Sequence, residues 1–138
     1  MAKNIFQQNA LIRAKEAKVL FQNELYDGAY YFAGYCIELA IKAYICDTKL
    51  SSGDFTKKIS EEIFTHDLAG LLKSSGLKSI IDSSSKKHIF YKKWGVIKDW
   101  NNEVRYKPNT PLVKAKNMIN ACFASYGIFP WIKSRWGE

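Results

Sequence analysis

The sequence predicts an all-α protein, an up-and-down bundle of four to five helices. Apolar residues recur at helical spacing in several segments, and no segment shows the alternating pattern of a β-strand. In addition, residues 26–46 form a segment that is apolar nearly all the way round. A helix of this kind must be covered on every side, by the rest of the chain or by a second copy. We therefore predict a helical homodimer.

Length and composition indicate one domain over residues 1–138, with an aromatic C-terminal tail from about residue 128. The chain is 47% hydrophobic, which excludes a disordered protein. Residues 1–8 are polar and do not resemble a signal peptide. Glu38 and Lys42 lie near the middle of the apolar segment, and each would cost about 2.5–3.5 kcal/mol in a bilayer. We expect a buried helix of a cytoplasmic protein, with no membrane contact.

The cysteines and histidines do not suggest a metal site. Cys36, Cys46 and Cys122 form no CxxC motif, and two of them lie on the apolar segment, as is typical of reduced core thiols. His66 and His88 are far apart and have no cysteine close in sequence. We expect no metal and no cofactor.

The net charge of +8 is unevenly distributed. Residues 1–48 carry five basic and five acidic side chains, so the whole excess lies in residues 49–138. Such an excess favours an anionic partner, although a lysine-rich solvated surface would give the same composition.

The predicted helices follow the apolar periodicity. A short break at residues 23–28 makes the first two helices an antiparallel hairpin, with Asp27 as cap of the second. A loop at 49–54 and a short amphipathic piece around Ile59, Ile63 and Phe64 come next. Thr65 is the expected cap of the third helix, which residues 74–76 end. The predicted helices cover residues 6–25, 26–46, 65–73, 86 to about 106 and 112–126, and the tail at 129–136 either docks back or meets a partner.

The densest polar group of the chain lies at residues 99–108, before two prolines. If this stretch is helical, Asp99, Glu103 and Tyr106 share one face, and Asn102 and Arg105 line the next. Arg105 is suited to grip a phosphate, and Tyr106 to stack on a base. Alternatively, Arg105 caps the helix and the carboxylates pair with lysines. We predict ligand binding by these five residues.

Other polar residues are expected to be structural. Glu38 and Lys42 are four apart on one helix face and would form a buried or interface ion pair. His66 and Asp67 stand at a helix start, where Asp67 suits the positive end and His66 is expected to hydrogen-bond. No GxxxxGK, GxGxxG, HExxH or GxSxG motif is present.

Three motifs in order resemble those of the HEPN domain family. They are an approximate A-x-x-x-E-x-A-x-K-A pattern containing Glu38 and Lys42, the HDL of residues 66–68, and the RYKP of residues 105–108, which is similar to an R-Y-P element. The resemblance spans residues 10–126 and implies a dimeric helical bundle. Family members include metal-independent toxin and defence ribonucleases, and non-catalytic partners of nucleotidyltransferases that are proposed to bind nucleotides.

The ribonucleases of this family carry R-x(4–6)-H, with the arginine and histidine brought together across the dimer. Counting from Arg105, this chain has Thr110, Pro111 and Leu112 where the histidine would be. Histidine is the natural proton carrier for such cleavage. The resemblance therefore implies a non-catalytic dimeric module that binds a nucleotide, RNA or a partner nucleotidyltransferase, within a toxin–antitoxin or defence system. The alternative is a toxin ribonuclease with a non-standard site, with Arg105 on the phosphate and His66 or Tyr106 as acid–base.

Overall fold

The chain is mainly helical over the part that the computed structural model describes, which is residues 5–51, 61 and 63–137, with only the backbone described at 49–51. No β-strand occurs among these residues, which confirms the all-α prediction. The elements are α1 (Ile5–Gln22), α2 (Tyr26–Ser51), α3 (Leu68–Ser74), α4 (Leu77–Asp82), α5 (Lys87–Ile97), a 3₁₀ helix (Asn102–Tyr106), α6 (Leu112–Phe123) and α7 (Ile128–Lys133).

The first two helices form the predicted antiparallel pair. Ala10, Ala14 and Ala17 are buried on α1, and small side chains at this spacing allow the two backbones to approach closely. Asp27 does not cap α2 as expected, because its carboxylate accepts hydrogen bonds from a distant segment instead. α2 also continues to Ser51, five residues beyond its predicted end and into the expected loop, of which residues 52–54 lie outside the described part.

α2 is the central helix of the domain. It packs against α1, α3, the 3₁₀ helix, α6 and α7, and its Ile37, Ile41 and Ile45 are fully buried. The aromatic tail contributes to this cover, since Ile132 of α7 is buried and Trp136 Nε1 donates to the Ala40 carbonyl at 3.0 Å. The chain itself therefore covers most of this helix, so its apolar faces do not by themselves require a second copy, and the homodimer stays a prediction.

The region after α2 differs in detail from the prediction. The N-cap position of α3 is held by Asp67, while the Thr65 hydroxyl accepts from the Asp67 N–H at 3.1 Å. The inward face of α3 is confirmed, since all its leucines are buried (Leu68, Leu71 and Leu72). The unpredicted α4 follows directly, because Gly76 adopts φ 85°, a left-handed conformation that glycine tolerates. Of the expected amphipathic piece, Ile63 is buried, Phe64 is exposed, and Ile59 lies outside the described residues.

α5 ends at Ile97, well before the predicted end near residue 106. The chain then turns so that Trp100 is buried, and Asn101 becomes extended, with φ −146°. The Asn101 side chain accepts from the Glu103 N–H at 2.9 Å and begins the 3₁₀ helix. The polar stretch is therefore not one α-helical face. α6 begins at Leu112 as predicted and ends at Phe123, three residues early.

Candidate ligand-binding site

Two contacts fix the polar stretch beside α2. The Trp100 ring lies on Gly34, where an added Cβ would meet its indole carbons at 2.3 Å, so only glycine leaves room for the ring. On the far side, Asp27 accepts from the backbone N–H groups of Asn109 and Thr110 at 3.2 and 2.8 Å. The 3₁₀ helix is thus held at both ends against the first half of α2.

The five predicted binding residues lie on a turn and a 3₁₀ helix, and not on one α-helical face. Asp99 lies near Tyr30, whose pKa is raised by burial and then by the Asp99 charge. Arg105 lies near Tyr31 instead, on the neighbouring face of α2. Glu103 lies on the same 3₁₀ helix as Arg105 but forms no ion pair with it among the described residues, and ligand binding by the five residues stays a prediction.

Arg105 and Tyr106 form the exposed centre of the site. The Arg105 Cζ lies 4.7 Å from the centre of the Tyr106 ring, and Tyr106 is 71% exposed. Hydrogen bonding to the phenol of Tyr106, and secondarily to that of Tyr31, raises the pKa of the guanidinium above its ordinary value. Within the described ranges Arg105 pairs with no carboxylate and donates to no backbone carbonyl. It is a permanent cation whose charge is available to a ligand.

The floor beneath Arg105 is aromatic. The Tyr31 ring centre lies 5.8 Å from that of Trp100, 5.9 Å from that of Tyr35 and 5.3 Å from that of Phe32. Trp100 is buried, while the other three rings are partly exposed. Such contacts limit the freedom of each ring and leave flat apolar surface beside a cation.

A second polar group lies further along the same face of α2. Glu38 is 1% exposed; its Oε2 lies 3.0 Å from Lys42 Nζ, and its Oε1 lies 2.9 Å from His66 Nδ1. The predicted Glu38–Lys42 pair is therefore present and buried. Because an ionised carboxylate only accepts hydrogen bonds, His66 donates from Nδ1 to Glu38. Its other ring nitrogen, Nε2, takes no part in this bond. The His66 side chain is 53% exposed.

The two groups are aligned along α2. Tyr31, Tyr35, Glu38 and Lys42 are spaced by four, three and four residues and so share one helix face. Seven residues separate Tyr31 from Glu38, which is roughly 10 Å along the helix axis. A phosphate held at Arg105 would therefore lie beyond direct reach of His66 in the same chain. Sequence reasoning missed Tyr31 and Tyr35, although this spacing was a readable signal.

The position of the ribonuclease histidine is used differently here. Thr110 is the first of the three positions counted from Arg105. Its backbone N–H donates a hydrogen bond to Asp27 at the start of α2. Hydrogen bonds from the Thr110 side chain, and then from the backbone N–H groups of Thr110 and Asn109, lower the pKa of Asp27 despite some burial. The residue serves to anchor the chain and offers no group that titrates near neutral pH.

The described residues offer neither a cluster for a metal ion nor a membrane-spanning helix. No three His, Cys, Asp or Glu side chains among them lie close enough to hold a metal ion. Of the helices that the structure describes, none is long and apolar enough to cross a bilayer.

Comparison with known proteins identifies the family. No curated protein and no solved structure matches this chain. The family model described as HEPN domain matches residues 5–122, which include α1 to α5, the 3₁₀ helix and most of α6. The chain therefore belongs to the HEPN domain family.

Proposed function

We propose that this protein is a non-catalytic HEPN module that binds single-stranded RNA at the surface formed by Arg105, Tyr106, Tyr31 and Tyr35, which we name the Arg105 surface. The observation that carries the proposal is the exposed guanidinium of Arg105. Among the described residues it pairs with no carboxylate, and it lies against Tyr106 and near Tyr31. A cation for the phosphate beside rings for the bases is the combination that single-stranded nucleic acids recognise.

Charge and geometry along α2 support the same ligand. The excess of eight positive charges lies in residues 49–138, which include Arg105. The aromatic face continues from Tyr31 to Tyr35 and on toward His66, over a length that accommodates more than one nucleotide. A strand of RNA would contact the whole of this face, whereas a single phosphate would contact only the end of the face beside Arg105.

The absence of cleavage in this proposal rests on two observations. The positions that would hold the ribonuclease histidine are Thr110, Pro111 and Leu112. His66 is bonded to Glu38, roughly 10 Å along α2 from the Arg105 end. A general base must lie within about 3 Å of the proton that it removes.

The proposal includes a homodimer in which the two Arg105 surfaces face one another, as the arginines of the family do. Membership of the family supports the dimer. The apolar surface of α2 is not further support, because the chain itself covers most of that helix. A nucleotidyltransferase partner, a role in a toxin–antitoxin or defence system and a cytoplasmic location belong to the same proposal. The location is supported by three free, buried cysteines.

The test is binding of a labelled single-stranded RNA, followed by fluorescence anisotropy in EDTA at low salt. Electrophoresis of the RNA after the titration separates binding from cleavage. We expect saturable binding that weakens as salt is added, with the RNA intact. Absence of binding at low salt would contradict the proposal.

A second function, metal-independent RNA cleavage, is favoured by one observation, the hydrogen bond that orients His66. A carboxylate that fixes the tautomer of an imidazole is a common arrangement for a proton-transfer group. In this function Arg105 of one subunit and His66 of the other would act together. Cleavage in EDTA that His66→Ala abolishes, while the variant still binds RNA, would establish it.

A further inference from the structure

A cleft between the start of α5 and α7 has an apolar base. Its volume is about 360 Å³, at the lower end of the roughly 300–1,000 Å³ that small-molecule pockets occupy. Ile81 and Phe90 line it and are 1% and 7% exposed, and the partly exposed Pro130 and Trp131 add further apolar surface. An apolar group that enters the cleft would therefore leave water for apolar surroundings.

The charged side chains of the cleft are all cations. Lys86, Lys87 and Arg135 line it, and no Asp or Glu is among its described lining residues. The charge of Lys87 is partly met by Asp82 outside the cleft, whose carboxylate is held by Tyr91 and Lys78. Lys86 and Arg135 form no ion pair within the described part of the chain. Two cations are therefore available to one anionic group.

Aromatic rings hold these two cations at the cleft. Lys86 Nζ lies 5.6 Å from the centre of the Tyr126 ring, and Arg135 Cζ lies 5.0 Å from that of Trp131. Trp131 is itself fixed by an edge contact with Phe90, with ring centres 5.2 Å apart. Cation–π contact lowers the freedom of the two long side chains, which reduces the entropy that they lose when they bind an anion.

The cleft offers few partners for a ligand that carries many polar groups. Its described lining contains no Asp, Asn, Glu, Gln or His. The Ser84 hydroxyl already accepts from the Lys86 N–H at 3.1 Å. Hydroxyl and amino groups of a sugar or a nucleobase would therefore lose hydrogen bonds with water and regain few, whereas an apolar body would lose none.

We propose that this cleft binds a small amphipathic carboxylate, a molecule with one carboxylate on an aromatic or branched apolar body. The carboxylate contacts Lys86 and Arg135, whose guanidinium presents paired N–H donors that match two carboxylate oxygens. The apolar body lies on Ile81 and Phe90. Such a ligand uses the whole lining, whereas an inorganic anion would use only the cations and a neutral apolar molecule only the apolar base.

The cleft is independent of the Arg105 surface and of the family match. None of its described lining residues belongs to the 3₁₀ helix or to α2. Tyr126, Trp131 and Arg135 lie beyond residue 122, where the match to the family model ends. The inference therefore does not rest on the proposed RNA binding, and each can fail alone.

Isothermal titration calorimetry with phenylbutyrate at pH 7 and low salt tests the proposal. Phenylbutanamide has the same shape without the charge, and acetate has the charged group without the apolar body. We expect phenylbutyrate to bind at least about tenfold more tightly than either of them. The double variant Lys86→Ala/Arg135→Ala should lose about tenfold or more in affinity. The matched control Lys92→Ala/Lys116→Ala removes the same charge from exposed positions outside the cleft and should stay within about twofold.

A second pair of variants tests the aromatic wall. Tyr126 is 70% exposed, so Tyr126→Ala should leave the fold intact and weaken phenylbutyrate binding by about threefold or more. Phe64→Ala removes a ring that is 82% exposed and lies outside the cleft, and it should not change the affinity.

Three results would overturn the inference. Phenylbutyrate could bind no more tightly than phenylbutanamide, or not at all at about 5 mM, so that the cations contribute nothing. The control variants could lose as much affinity as the cleft variants, so that neither the two cations nor the ring is specific. Finally, AMP could bind more tightly than phenylbutyrate and displace it, which would show that the ligand is not a simple carboxylate. RNA binding at the Arg105 surface would stand in each case, because none of these variants changes that surface.

Discussion

The carboxylate of Asp27 accepts a hydrogen bond from the Thr110 N–H at 2.8 Å, which ties the start of α2 to the segment after the 3₁₀ helix. In a ribonuclease of this family, position 110 is one of those available to the catalytic histidine. Here the backbone of that position is fixed by a carboxylate more than eighty residues earlier in the sequence. The contact therefore helps to position the 3₁₀ helix that carries Arg105.

This contact predicts a small pH-dependent stability. The pKa of Asp27 is lowered from its ordinary value of 3.8, so its contribution is present above that value and is lost as the pH falls below it. Asp27→Asn should cost less than about 1 kcal/mol at pH 7, because the group is exposed. The difference between wild type and variant in urea unfolding should be smaller at pH 3 than at pH 7. A difference that stays constant would mean that the charge has no role.

Gly34 and Trp100 provide a sharper test of how the site is built. Gly34→Ala forces a methyl group into the Trp100 ring and should cost about 1–3 kcal/mol. The same variant should weaken RNA binding, because the 3₁₀ helix follows Trp100. Gly95→Ala is the matched control, since nothing lies within 4 Å of its added Cβ and alanine favours a helix by up to about 1 kcal/mol. Equal stability of the two variants in urea unfolding would contradict the packing described here.

The buried Glu38 predicts a large effect of removing one charge alone. Glu38→Ala leaves Lys42 buried without its carboxylate and should cost about 3–5 kcal/mol. Replacing both residues with leucine should be much milder, under about 2 kcal/mol. Lys78→Ala is the control, since it breaks an exposed pair of the same spacing and should cost less than about 0.5 kcal/mol. Small, equal losses in all three variants would show that burial does not govern the Glu38 pair.

The homodimer is tested by light scattering at micromolar concentration. We expect a mass of about twice 15.8 kDa. If the Arg105 surfaces face one another, Tyr106→Lys should shift the protein toward the monomer, because it adds positive charge beside the two facing guanidiniums. Asn120→Lys, which adds the same charge at an exposed position of α6, is the control and should leave the mass unchanged. A monomer in the wild type would contradict the dimer.

Local periodicity predicted α1, α2, α3, α5 and α6, but not where the chain leaves each helix. Leu68, Leu71 and Leu72 are buried on α3 as their spacing indicated. The end of α5 depends on Trp100 reaching Gly34 on a distant helix, and no local pattern encodes such a contact. Asp27 was predicted to cap α2, but its carboxylate binds the backbone of Thr110, which is also distant in sequence and therefore not predictable from a local pattern.

The candidate site was predictable only in part. Residue chemistry identified Arg105 and Tyr106, which do lie together on the surface. It also grouped Asp99 and Glu103 with them, because a continuous α-helix was assumed where a turn and a 3₁₀ helix occur. The aromatic floor beneath Arg105 was missed because α2 was interpreted as core throughout, whereas one of its faces is only partly buried.

RNA binding at the Arg105 surface is best measured by comparing Arg105→Ala with wild type, with Lys116→Ala as a control for net charge. We expect Arg105→Ala to weaken binding by about 10- to 100-fold and to lower the salt slope by about one, because one phosphate contact is lost. The RNA should remain intact, Lys116→Ala should change affinity by less than about twofold, and the free energy of unfolding should not change in either variant. Undiminished binding by Arg105→Ala, or cleavage of the RNA by wild type in EDTA, would contradict binding without cleavage at this surface.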